Sequence, residues 1–131
     1  YQERFAAALD AAAGGPFDVI LCPACALPAL THGASGDLMT IGGYTVLYNV
    51  LGYPTGIVPV TRVRVEEEST RTGSRDPVEK RARQVEQGSA GLPVGVQVVA
   101  RPWREHVALA AMQAIEATVA TRPDYPHVPI L

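Results

Sequence analysis

The segment over residues 104–121 constrains the fold most, because apolar residues occupy nearly every face of the helix that it predicts. A stripe at four-residue steps is joined by apolar residues on the neighbouring faces: Val107, Ala108, Ala110, Ala111, Met112, Ala114, Ile115 and Val119. A helix that is apolar all round is stable only when other elements cover it. The rest of a 131-residue chain supplies few such elements. The sequence therefore predicts part of a larger α/β domain.

Glycine and proline divide the remaining sequence into short elements, since 12 Gly and 11 Pro are spread along it. Apolar periodicity between these breaks predicts helices over residues 1–13, 40–51 and 78–87 and strands over residues 17–21, 55–65 and 91–100. Residues 22–36 predict an extended loop. Pro59 lacks an amide donor, so we expect its strand at a sheet edge or at a bulge.

Charged residues are concentrated over residues 62–86, where seven basic and six acidic side chains occur among 25 positions. Mixed signs predict a solvated surface insert rather than a binding tail. We assign this insert to residues 62–90. The net charge of about −2 gives no electrostatic reason to bind nucleic acid or an anionic membrane.

The chain shows no secretory signal and no run of about 20 apolar residues that could span a membrane. It begins with Tyr1 rather than Met, which predicts that its natural start lies elsewhere. Two cysteines are too few for a disulfide framework and indicate a reducing compartment. We therefore expect a cytoplasmic location, with membrane association of a longer parent left open.

Cys22-Pro23-Ala24-Cys25 directly follows a predicted strand and allows two interpretations. A thioredoxin-like redox pair needs its first sulfur at a helix N-terminus, which lowers the thiol pKa. Thr31-His32-Gly33 would break such a helix almost at once. Two small buried thiols are the alternative interpretation.

No complete catalytic or metal site can be assembled from the remaining residues. A serine hydrolase needs an activated nucleophile, a base and an oxyanion hole. Lys80 lies among charged neighbours and is expected to be solvated, hence protonated. The four serines lie outside any strand-to-helix elbow, and the three histidines are scattered: Ser35, Ser69, Ser74, Ser89, His32, His106 and His127. We assign no catalytic residue, no metal ligand and no cofactor.

Two blocks in order carry a family resemblance: residues 44–61 (YTVLYNVLGYPTGIVPVT) and residues 91–100 (GLPVGVQVVA), the latter followed by Pro102-Trp103 and Glu105. With residues 18–23 (DVILCP) before them, they closely resemble the C-terminal portion of amidase-signature enzymes. The Tyr-Thr-x-Leu-Tyr-Asn run, the charged insert and the Pro-Trp pair are most similar to the fatty-acid amide hydrolase branch.

The resemblance implies that residues 1–131 are the last quarter or third of an amidase domain with a mixed β-sheet enclosed by helices. Residues 91–100 would be an interior strand, and the rest of the enzyme would cover the last helix. The family uses a Ser–cis-Ser–Lys triad, and no position here matches it. The resemblance thus implies an inactive piece of an amidohydrolase whose partners are a small-molecule amide and the N-terminal remainder, with no nucleic acid and with homodimerisation left open.

By position, the resemblance also assigns Met39, Gly42 and Val46 to the wall of the substrate channel. Apolar Met and Val beside a residue without a side chain suit an apolar acyl or leaving group. Ordinary core packing is the alternative for all three. The small Gly42-Gly43 pair departs from the lipid-hydrolase branch and leaves the substrate's length open.

We therefore expect a scaffold and channel segment of an amidase that cleaves fatty-acid or other apolar amides. Two alternatives remain. One is a small CxxC thiol-redox protein based on Cys22 and Cys25, and the other is a non-catalytic interaction fragment that uses the helix over residues 104–121.

Overall fold

The computed structural model of the chain describes residues 1–127 and confirms the α/β class. The helices and strands within these residues are α1 (Gln2–Asp10), β1 (Val19–Pro23), α2 (Gly43–Leu51), β2 (Thr55–Arg62), α3 (Pro77–Glu86), β3 (Pro93–Ala100) and α4 (Glu105–Val119). Each predicted element is present, with ends that differ by a few residues. None of these helices has the length and apolar character needed to cross a membrane.

The strand β3 lies at the centre of an antiparallel sheet of order β1-β3-β2. Leu21 of β1 pairs with Val98, and Ile57 of β2 pairs with the preceding Gln97. Because β3 has a strand on each side, its second half is almost completely buried. The interior position expected for residues 91–100 is confirmed.

The edge strand β2 contains an irregularity between Pro59 and Thr61, where the pairing register shifts. Pro59 therefore lies at both an edge and a bulge, as its missing amide predicts. Its pairing partner is Gly95. A Cβ atom on Gly95 would lie only 2.6 Å from Cγ2 of Ile57, so the close approach of the two strands requires glycine there.

Helices cover both faces of the sheet, and side-chain alternation along β3 separates the two layers. On one face, α1 and α2 pack in a cluster of Tyr48, Leu51, Tyr53 and Val99, with Phe5 against Tyr53 at 5.6 Å between ring centroids. On the other face, α4 packs on β2 and β3. Met112 of α4 fills the space that a side chain at Gly56 would need.

The helix α4 has one covered side and one open side within the described residues. Ala108 is its buried residue, whereas Leu109 on the next position is 64% exposed. The stripe residues Val107, Ile115 and Val119 are half-buried. The cover expected for the open side of this all-apolar helix is thus not supplied by residues 1–127.

The charged insert contains the helix α3, which begins one residue before its predicted start. Asp76 caps the helix by accepting the amide of Val78 at 2.7 Å, and Pro77 occupies the first helical position. Ala82 and Val85 turn inward and are buried against Ala34 and Leu38 in a second core cluster. The insert therefore packs on the loop that leads into α2.

Paired charges hold the irregular part of the insert on α3. The Arg71 guanidinium donates to Glu86 at 2.8 Å and to Glu79 at 2.9 Å, and both contacts raise the pKa of Arg71. Ser69 donates to the second oxygen of Glu86 at 2.7 Å. The Glu68 carboxylate accepts the amides of two residues after α3, Gly88 and Ala90, at 3.1 Å.

Burial along β3 predicts that two valine-to-alanine substitutions lower the free energy of unfolding by very different amounts. Val98 is fully buried under α4, so Val98→Ala leaves a cavity and is expected to lower the free energy of unfolding by about 2 kcal/mol. Val94 lies on the same strand but is exposed, so Val94→Ala is expected to change it by less than about 0.5 kcal/mol. Chemical denaturation of both variants measures the difference, and equal losses would contradict the burial pattern.

Candidate substrate wall at the start of α2

Met39, Gly42 and Val46 lie along one continuous helical segment. Met39 and Gly42 are the first and last residues of a single 3₁₀ turn, and α2 begins at the next residue. Their spacing of three and four residues is that of side chains on the same side of a helix. Met39 is 82% exposed, Val46 is 54% exposed and Gly42 is half-buried.

Gly42 leaves space beside Val46 rather than meeting a backbone requirement. Its φ of −72° is open to any L-residue, so conformation does not demand glycine. A Cβ atom at this position would lie 3.5 Å from Cγ2 of Val46, an ordinary van der Waals contact. The missing side chain therefore forms a shallow depression bounded by Val46.

The opposite side of α2 faces the core. Tyr48 and Leu51 are buried in the cluster with Val99, while Val50, one turn after Val46, is exposed. The helix thus has a buried face and an apolar exposed face. Neither Met39 nor Val46 is packed into the core of residues 1–127.

A buried amide fixes the first turn of α2 on the sheet. Gln97 of β3 is completely buried, and its Nε2 donates to the Tyr44 carbonyl at 3.0 Å and to the Cys22 sulfur at 3.3 Å. Thr45 donates its hydroxyl to the Gly42 carbonyl at 3.1 Å. The sequence predicts no role for Gln97, and its one signal there is a single amide within an otherwise apolar strand.

Tyr48 extends this polar cluster on the core side of α2. The Cys22 thiol donates to the Tyr48 hydroxyl at 3.9 Å. Burial, followed by the contact with Cys22, raises the pKa of Tyr48. The phenol therefore stays protonated and neutral at physiological pH, which suits its position in the core.

The Cys22-Cys25 pair lacks the helix that a thioredoxin-like site needs. Cys22 lies in β1, and Cys25 lies in the following loop, where its sulfur accepts the Leu27 amide at 3.4 Å. Residues 24–33 contain no helical turn. Both thiols are free and half-buried. The residues after Cys22 thus form no helix that begins at the first sulfur, as a thioredoxin-like pair requires.

Two of the serines and the lysine each have a different structural environment. Ser69 donates to Glu86, Ser74 accepts the Asp76 amide, and Lys80 is exposed on α3. Within residues 1–127, no serine hydroxyl is hydrogen-bonded to a lysine or histidine side chain. In the same part of the chain, no three His, Cys, Asp or Glu side chains form a group that could hold a metal ion.

Comparison with known proteins identifies the family to which this architecture belongs. The sequence model of the family described as Amidase matches residues 1–109, more than half of the chain. The chain belongs to the amidase family. The match includes β1, the candidate wall residues 39–46, the insert, all of β3 and the start of α4.

Individual relatives show the same relationship. A fatty acid amide hydrolase 1 from Caenorhabditis elegans is 38% identical over 105 residues, and one from Sus scrofa is 39% identical over 107 residues. These alignments cover 78% and 79% of this chain but only 18% of each relative. An amidase from Gibberella zeae is 28% identical over 118 residues, which are 80% of this chain and 21% of the relative. The chain therefore spans about a fifth of the length of the relatives it matches.

The exposure of Val46 and the burial of Val99 predict that the same substitution changes stability differently at the two positions. Val46→Thr exchanges a methyl group for a hydroxyl on an exposed surface and is expected to change the free energy of unfolding by less than about 0.5 kcal/mol. Val99→Thr makes the same exchange at a position that is 1% exposed and is expected to cost about 2 kcal/mol. Denaturant unfolding checks both values. A large loss for Val46→Thr would show that Val46 is a core residue.

Proposed function

We propose that this chain is the C-terminal segment of an amidase-signature hydrolase that cleaves amides of fatty acids or other apolar acids. In this proposal, the segment supplies scaffold and one wall of the substrate channel. The observation that carries the proposal is the exposed apolar face of Met39, Gly42 and Val46 in a chain of the amidase family. The similarity to two fatty acid amide hydrolases supports the choice of substrate class.

The wall's chemistry fits an apolar substrate group. Met39 offers a flexible, polarisable side chain, and Val46 offers a rigid branched one. Between them, Gly42 leaves room for substrate atoms to approach the helix backbone. No charged side chain occurs from Met39 to Leu51, so an alkyl or aromatic group would meet no ionised group that must be desolvated.

The covalent chemistry is proposed to reside in the remainder of the parent protein. Amide hydrolysis by a serine enzyme requires attack of an activated hydroxyl on the carbonyl, release of the amine and hydrolysis of the acyl-enzyme. In this chain, Ser69 is occupied by Glu86, and Lys80 lies exposed on α3. Residues 1–131 alone are therefore expected to lack amidase activity.

The same remainder is the proposed partner for apolar surfaces away from the wall. Leu109 on the outer side of α4, Leu21 on β1 and Trp103 before α4 are all exposed. Large apolar side chains of this kind are stabilised when further elements cover them. The small share of the relatives' length that the chain spans supports a covering segment from the same polypeptide.

A serine-directed probe tests the catalytic proposal. The complete gene product that contains this chain is expected to react with a fluorophosphonate and to hydrolyse long-chain fatty-acid amides, whereas residues 1–131 alone do neither. Peptide mapping of the labelled protein is expected to locate the modified serine outside residues 1–131. Labelling of a serine within this chain, or absence of amide hydrolysis by the complete product, would contradict the proposal.

A matched pair of glycine substitutions tests the wall. Gly42→Leu fills the depression beside Val46 and is expected to lower kcat/KM for a long-chain amide about tenfold relative to a short-chain amide, since the acyl chain loses its space. Gly43→Leu adds the same side chain at the next position, where no atom lies within 4 Å, and is expected to change this ratio by less than about twofold. Equal effects of the two variants would remove Gly42 from the wall.

A further inference from the structure

We propose that Gln97 is a positioning residue for the substrate wall, which it fixes by holding the first turn of α2 against the central strand. This inference rests on the proposed function, because it treats Met39, Gly42 and Val46 as the wall. It goes further by assigning control of the wall's position to a residue on a different element.

The burial of Gln97 calls for a physical reason. Its exposed fraction is 0%, and it lies in β3 with β1 and β2 on either side. Among the described residues, Ser89 is the other buried polar residue. Removing an amide group from water is unfavourable unless hydrogen bonds within the protein replace those to water. The contacts of Gln97 therefore show what its amide stabilises.

Both donor contacts of the amide are directed at neighbouring elements. Nε2 lies 3.0 Å from the Tyr44 carbonyl oxygen, an acceptor, so the nitrogen rather than the oxygen of the amide must face it. The same nitrogen lies 3.3 Å from the sulfur of Cys22 on β1. Gln97 thereby connects β3, β1 and the start of α2 at one point.

The amide oxygen of Gln97 makes no hydrogen bond that would offset the cost of burying the side chain. Oε1 is buried and has no hydrogen-bond partner within residues 1–127. An unpaired buried acceptor is destabilising. A methionine of similar length would avoid this penalty and fill the same space. The donor bonds from Nε2 are therefore the stabilising contribution of Gln97, and the stronger of them ends on α2.

The contact with Tyr44 affects the position of the wall residues because they lie on the same helical segment. Tyr44 lies between Gly42 and Val46 in sequence, within the same helical turn. The Thr45 hydroxyl bonds the Gly42 carbonyl at 3.1 Å and so ties the preceding 3₁₀ turn to α2. Because neighbouring residues of a helix move together, a shift of Tyr44 relative to β3 displaces both Gly42 and Val46.

The test uses the complete gene product and its hydrolysis of a long-chain and a short-chain amide. Gln97→Met keeps the length of the side chain and removes both donors. We expect a roughly three- to tenfold loss in the ratio of kcat/KM for the long amide over the short amide, carried by KM, with kcat for the short amide unchanged. A purely structural role would lower the amount of folded enzyme without changing this ratio.

Two control variants separate positioning from general destabilisation. Val98→Ala changes the next residue of β3, which is buried on the opposite face under α4, and is expected to lower stability while leaving the ratio unchanged. Cys22→Ala removes the other contact of Nε2 but keeps the bond to Tyr44, and its ratio is expected to stay within about twofold of the wild type.

Hydrogen exchange provides a readout that does not depend on activity. In Gln97→Met, the amides of α2 are expected to exchange faster relative to those of α4, whereas in Val98→Ala the change is expected in α4 and β3. If the Gln97→Met variant does not fold, the Gln97→Asn variant is tested instead. The asparagine side chain is one methylene shorter than glutamine, so its amide cannot hold both contacts. The same loss in ratio is expected.

The possible failures are distinguishable. If the wild-type protein does not hydrolyse amides, the proposed function fails and the wall assignment fails with it. If the wild type is active but Gln97→Met keeps the wild-type ratio and the exchange rates of α2, this inference alone is overturned. An equal change of the ratio in Val98→Ala would also overturn it, because general loosening of the sheet would then be the cause.

Discussion

The pairing of β3 with both β1 and β2 is the interaction on which the rest of the structure depends. It places residues that are far apart in the sequence side by side, with Val19 opposite Ala100 and Thr55 opposite Val99. The two faces of β3 then organise the helices, since Val99 packs with α2 and α1 while Val98 lies on the side covered by α4. Gln97 on this strand, which has a paired strand on each side, donates to the Tyr44 carbonyl in the first turn of α2.

The distribution of apolar surface is typical of one segment of a larger domain. Two small clusters are fully formed, one under α2 and one where α3 packs on Leu38. At the same time Leu109, Trp103 and Met39 are among the large apolar side chains that are mostly exposed. The proposed function accounts for this contrast, because the relatives are about five times longer than the segment they share with this chain. In that proposal, some exposed residues contact the remaining polypeptide, and those at the start of α2 contact substrate.

The insert illustrates how charge and burial combine in one segment. Its composition is that of a solvated surface, and seven of its 13 charged residues are exposed while the other six are partly buried. However, Arg71 bridges Glu79 and Glu86, and Ala82 on the inner side of α3 packs against the loop that precedes the wall. The insert thereby packs against the loop before α2, while Gln97 contacts the first turn of α2. The proposed wall is thus held by elements that lie far apart in the sequence.

The sequence by itself determined the elements and the family, because both depend on local patterns. Glycine and proline breaks, β-branched runs and helical periodicity predicted each helix and strand, and Pro59 predicted an edge with a bulge because a missing amide acts locally. The tertiary structure decided which side chains meet. The contact of Gln97 with Tyr44, the burial of Ala82 by Ala34 and the exposure of Val46 all arise from residues many positions apart. Such contacts depend on the packing of whole elements, which periodicity and spacing do not specify.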